Sequence, residues 1–139
     1  MERPRARLEI SEVPTGIRVE LPCAGTRLPL APTERLRVRL AGMPGVPSDP
    51  PPYAVRVCTY GTDGKPDGSL ARLHELGWSG RTNVIVFFDP SNGWTVEHAG
   101  HTAPSLLNGE PFYGARRLRD GDRIEPARGL VLTFTLERE

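Results

Sequence analysis

The strongest constraint on this chain is the punctuation of its last third. Asn108-Gly109 stands between Ser105-Leu106-Leu107 and Glu110-Pro111-Phe112-Tyr113. An Asn-Gly pair between strand-like segments is a strong hairpin signal, because a tight two-residue turn needs positive φ at both positions. A second turn, Asp120-Gly121, lies inside Arg117-Leu118-Arg119-Asp120-Gly121-Asp122-Arg123-Ile124. Leu130-Val131-Leu132-Thr133-Phe134-Thr135-Leu136 then closes the chain as a β-rich run. Strand, turn, strand, turn, strand is the expected order from Trp94 to Glu137.

The earlier chain extends the pattern. Arg7-Leu8-Glu9-Ile10 and Ile17-Arg18-Val19-Glu20-Leu21 alternate around Pro14-Thr15-Gly16 and predict a hairpin. Residues 34–40 alternate again, with Leu36, Val38 and Leu40 on one face and Arg35, Arg37 and Arg39 on the other. Five prolines and no periodicity make residues 42–52 a loop. Residues 53–60 return to strand, and 62–68 read as an exposed turn. Ser69 can cap a short helix over 69–77, with Leu70, Leu73 and Leu76 on one face and Gly77 at its end. Val84-Ile85-Val86-Phe87-Phe88 is continuously apolar, as in a strand covered on both faces. With 15 glycines and 15 prolines punctuating short apolar runs, the expectation is one all-β domain over residues 1–139. About 8–11 strands make a two-sheet β-sandwich.

Net charge is +1, so no bulk field draws the protein to nucleic acid or an anionic membrane. Cys23 and Cys58 allow one disulfide at most and have no metal-type spacing. The first residues lack a signal peptide's apolar core, and no run approaches a membrane span. A cytoplasmic protein is expected. His98 and His101 sit in a predicted loop with no cysteine or carboxylate set, as His74 does elsewhere, so no metal is expected. Ser79 and Ser105 lack a nucleophile-elbow context. The chain is therefore not expected to be an enzyme or to hold a cofactor. Trp94 is assigned to the core, and Trp78 either to the core or to a partner.

From Gly80 to Glu137 the chain resembles the C-terminal half of a forkhead-associated (FHA) domain. Gly93-Trp94-Thr95-Val96 resembles the strand that leads into that family's recognition loop. Gly100-His101-Thr102, followed by Asn108-Gly109-Glu110, has the family's spacing from recognition turn to hairpin. Leu118-Arg119-Asp120-Gly121-Asp122-Arg123-Ile124 matches its closing signature, and Leu132-Thr133-Phe134 its last strand. The resemblance implies an FHA-like β-sandwich that binds phosphothreonine peptides through loops at one end.

The family's serine-arginine-x-histidine loop falls on Gly80-Arg81-Thr82-Asn83, which keeps the arginine and loses the serine and histidine. Its recognition-loop threonine is Thr102, while the following asparagine-glycine reads Ala103-Pro104. Its earlier glycine-arginine pair has no clear counterpart, with Arg56 and Arg72 poorly spaced substitutes. A phosphate dianion needs several convergent donors, and Arg81 and Thr102 are the two recognisable ones. The expected activity is thus binding of a protein or (phospho)peptide partner, with phosphothreonine dependence weakened. The expected ligand residues are Arg81, Thr82, Asn83, His101, Thr102 and Asn108, in loops 79–83, 98–104 and 108–110. The alternative is a nucleic-acid or anion binder using the Arg35, Arg37 and Arg39 face.

Overall fold

A computed structural model of the protein describes residues 5–20, 27–30, 35–40, 54–59, 75–76, 78, 82–100 and 104–137. Twelve strands are described: β1 (Arg5–Glu12), β2 (Ile17–Glu20), β3 (Arg27–Leu30), β4 (Arg35–Leu40), β5 (Ala54–Thr59), β6 (Thr82–Asp89), β7 (Gly93–His98), β8 (Ser105–Leu107), β9 (Glu110–Phe112), β10 (Ala115–Arg117), β11 (Arg123–Ala127) and β12 (Leu130–Glu137). They form two six-stranded sheets in the orders β3-β1-β12-β11-β8-β9 and β10-β7-β6-β4-β5-β2. All the described pairings are antiparallel except β4 with β5. The all-β sandwich expected from the sequence is what forms, with one strand more than the expected range.

Alternation builds the core. Ala6 and Leu8 of β1, and Leu130, Leu132 and Phe134 of β12, are buried beneath one sheet. Leu36 and Val38 of β4, Val84 and Val86 of β6, and Trp94 and Val96 of β7 meet them from the other. Because successive side chains on a strand point to opposite faces, each sheet buries one face and leaves the other outside. Trp78, open to either assignment from the sequence, is 2% exposed and belongs to the core. The loop at 42–52 and the turn at 62–68 lie outside the described residues. So does the helix over 69–77, apart from Glu75 and Leu76. Among the described residues no helix is long and apolar enough to cross a membrane.

Three expectations are corrected. The alternating runs around Pro14 do not form a hairpin. β1 already pairs with β12 on one side and β3 on the other, so no edge is left for β2, which pairs with β5 in the opposite sheet. The turn itself is present, closed by Ile17 N–H to the Pro14 carbonyl at 3.2 Å, but it links the sheets. The apolar run of β6 is covered on one face, not two: Val84 and Val86 are buried, whereas Ile85 and Phe87 are half-buried on the outer face. His98 is the buried last residue of β7 and not a loop residue.

The Asn108-Gly109 hairpin joins β8 to β9 with φ of 52° and 82° at its two turn residues, the geometry that pair favours. Asp120-Gly121 connects β10 to β11, and therefore one sheet to the other. Its residues extend the β12 ladder beyond the start of β11. Gly121 N–H bonds the Phe134 carbonyl and Phe134 N–H the Asp122 carbonyl, each at 2.8 Å. Leu136 N–H donates to Asp120 Oδ1 at 2.8 Å, and Arg119 N–H to Asp122 Oδ2 at 2.7 Å. The Asp-Gly-Asp signature is thus a backbone-satisfying joint. In the β6–β7 turn, Ser91 N–H (2.9 Å) and then Asn92 Nδ2 (3.1 Å) donate to Asp89, holding its carboxyl below the usual carboxylate range.

Candidate functional site

Strand direction sorts the connections into two ends of the sandwich. β6 begins where β7 ends, since Val84 pairs with His98. β8 begins beside them, because His98 Nδ1 and Ser105 Oγ are 2.8 Å apart. Ala99 and Gly100, Pro104, the start of β6 and the Tyr113-Gly114 turn therefore share one end. The 90–92, 108–109 and 118–122 turns lie at the other: Phe88 pairs with Trp94 there, and Leu118 N–H bonds the Trp94 carbonyl at 2.8 Å.

The first end has a tightly bonded base. Ala99 N–H donates to the Asn83 carbonyl, and His98 N–H to the Gly114 carbonyl, both at 2.8 Å. Asn83 is 0% exposed, and its Nδ2 donates to the Pro126 carbonyl, tying one sheet to the other. His98 is 9% exposed, with the rings of Phe112 and Tyr113 edge-on at 6.2 and 5.4 Å. Tyr113 is itself 55% exposed, so it caps the histidine from solvent while showing a face to it.

Burial lowers the pKa of His98 from its ordinary value, because the imidazolium would be poorly solvated. The unfolded chain then binds this proton at a higher pH than the folded one. The contribution of His98 to stability is fully present above its unfolded pKa of about 6.5 and is lost as pH falls through the lower folded value. Urea midpoints measured from pH 8 down to pH 5 should fall below that point in the wild type. The fall should be flatter in His98→Asn, which can bond Ser105 without titrating. Equal slopes in the two proteins would refute the assignment.

Of the six expected ligand residues, the three that are described, Thr82, Asn83 and Asn108, do not converge. Arg81, His101 and Thr102 lie outside the described residues. Thr82 opens β6, half-buried, at the first end. Asn83 is beside it but faces inward, its amide engaged by Pro126, so it offers no side chain to a surface ligand. Asn108 is at the opposite end, which removes 108–110 from the expected cluster. Its Oδ1 accepts from Arg123 N–H and its Nδ2 donates to Asp122 Oδ1, each at 2.9 Å, so its amide locks a turn. β8 runs away from His98, and a spacing count along one chain does not register that reversal.

His98, with its Ser105 bond, is the base-forming residue the sequence did not single out. Its burial depends on three strands meeting. Ser105 is buried, so this Ser-His pair presents no nucleophile to solvent. Among the described residues no three histidines, cysteines or carboxylates gather into a metal-binding group.

No protein-family model matches this chain, and no curated protein does. Solved structures do. The FHA domain of the CT664 protein from Chlamydia trachomatis superposes with TM-score 0.55 at 11% identity, over 96% of this chain and 99% of that one. The FHA domain of an Arabidopsis thaliana hypothetical protein gives 0.51 at 17%, over 97% and 86%. The Slr1951 protein from Synechocystis sp. gives 0.51 at 11%, over 98% and 99%. At such identities the likeness is one of fold: this chain folds as an FHA-like β-sandwich.

Proposed function

We propose, with an FHA-like sandwich as the premise, that this protein is a non-catalytic interaction module. It binds a protein or peptide partner at the end of the sandwich where β6 and β8 begin and β7 ends. The observation that supports this reading is the bonded base at the end of β7, made by Ala99 to Asn83, His98 to Gly114 and His98 to Ser105. Loops carried on a rigid sheet lose less freedom when they bind, and are where recognition groups concentrate. Arg81 and Thr102 are the proposed donors to an anionic or polar group, with Thr82 and His101 as further proposed contacts. Asn83 and Asn108 are left out, the first turned inward and the second at the far end. The reading includes no cofactor and a cytoplasmic setting, in keeping with two cysteines and no disulfide framework.

Two donors are few for a phosphate dianion, so phosphothreonine should add to affinity without being required. Calorimetry with a degenerate phosphothreonine peptide library and its unphosphorylated twin tests this. Both should bind, and Arg81→Ala should weaken binding about tenfold, the worth of one charge-assisted hydrogen bond. Unchanged affinity in Arg81→Ala would overturn the proposed contact. Strict dependence on the phosphate would restore the family's own mode.

A further inference from the structure

Loop-end recognition leaves the outer half of the β6 apolar run without a role. Register shows what surrounds it. Arg35 of β4, Phe87 of β6, Thr95 of β7 and Arg117 of β10 lie side by side in one row. Arg37, Ile85, Glu97 and Ala115 form the next. Opposed residues of antiparallel strands share a face, and the intervening Leu36, Val86 and Val96 are in the core, so both rows lie on the outer side, where Thr95 is covered by its neighbours and Ile85 and Phe87 are half-buried. Arg18 of β2 is exposed on the same face, since Ile17 beside it is buried.

The two outer faces differ in charge. On the β1–β12 sheet, Arg5, Arg7, Arg27 and Arg123 are matched by Glu9, Glu12, Glu125 and Glu137, with Arg27–Glu9 at 3.5 Å and Arg123–Glu12 at 3.1 Å. On the β6 sheet, Arg18, Arg35, Arg37 and Arg117 outnumber Glu97 and Asp89 among the described side chains. A chain of net charge +1 thus carries a basic face with an apolar centre. The Arg35 guanidinium lies 4.5 Å from the Phe87 ring centroid, which holds the charge in place before any partner arrives.

We propose that this sheet face is a second docking surface, for an acidic protein segment. The segment seats an apolar side chain on Ile85 and Phe87 and sets its carboxylates against Arg35, Arg37 and Arg117. An apolar centre ringed by arginine is the composition of protein interfaces. A continuous phosphate backbone fits less well, because Glu97 lies beside Ile85 in the middle of the face. At 4.8 Å between strands and 3.3 Å per residue, the sheet offers roughly 500 Å² to a partner, the scale of a transient contact.

The probe is a degenerate acidic peptide library with leucine at its centre, titrated into the full chain at low and high salt. A single-stranded oligonucleotide of equal charge is titrated in parallel. The peptides should bind, more weakly at high salt. Arg35→Glu/Arg37→Glu/Arg117→Glu and Ile85→Ser should each lose at least tenfold. Arg5→Glu, on the outer face of the other sheet, should bind as the wild type does, which ties the loss to this face. Arg117→Glu alone leaves the Arg35–Phe87 contact intact and should lose affinity with unchanged urea stability. Absent peptide binding, or binding indifferent to charge reversal, overturns the proposal. Tighter oligonucleotide binding that charge reversal abolishes overturns it in favour of nucleic acid.

Discussion

Phe134→Ala should destabilise the protein by about 3–5 kcal/mol, the usual cost of truncating a large aromatic in a closed core. Phe134 is 0% exposed on β12, at the centre of its sheet. Its ring lies 5.8 Å from Trp94 of the opposite sheet at 56°, and Trp94 lies 5.6 Å from Phe88 at 70°. The three rings bridge the layers, so removing the middle of β12 leaves a cavity that neither sheet can close by itself. Domains of this size are stable by about 5–15 kcal/mol, so a large fraction of the total would go. Urea unfolding should show a lower midpoint with an unchanged slope. Phe134→Leu, which keeps most of the volume, should cost under about 1.5 kcal/mol. A loss below that in Phe134→Ala would mean the three rings do not carry the contact between sheets.

Asn83→Ala is the second large effect, about 2–4 kcal/mol, and it arises differently. The lost volume is small, but the Pro126 carbonyl is buried and would have no donor. An orphaned buried acceptor bears its full desolvation cost, and a small cavity adds to it. Asn83→Asp should be worse, because the carboxylate would face a carbonyl oxygen in the interior. Asn83 also accepts Ala99 N–H through its backbone, so Asn83→Ala should loosen the backbone at Ala99. Amide hydrogen exchange at Ala99 should quicken in that variant by more than its loss of global stability explains. If both amide exchange and stability match the wild type, the inter-sheet tie is unimportant.

What was legible in the chain was local. The Asn108-Gly109 turn, the alternation of β4 and the closing strand β12 are set by neighbours within a few residues, and each formed where its pattern lay. The alternation of residues 7–10 and 17–21 was equally clear. Yet it says only that each strand has one buried face, and not that β1 would be flanked on both sides by β12 and β3. Asn108 shows the same limit at the loop end. Its sequence distance from Thr102 is short, but an intervening strand carries it to the other end. In the sequence His98 reads as a loop histidine, because burial by Phe112 and Tyr113 is not a property of its neighbours alone.

The sequence by itself determined where strands and turns occur, because backbone preference and side-chain periodicity act over a few residues. Only the tertiary structure decided which sheet each strand joins, which loops share an end, and that the arginines of β2, β4 and β10 gather on one face. Those outcomes depend on pairings between segments far apart in the chain, such as Arg5 with Glu137. No local pattern encodes a pairing of that range. It is selected when two half-buried surfaces close over a common core.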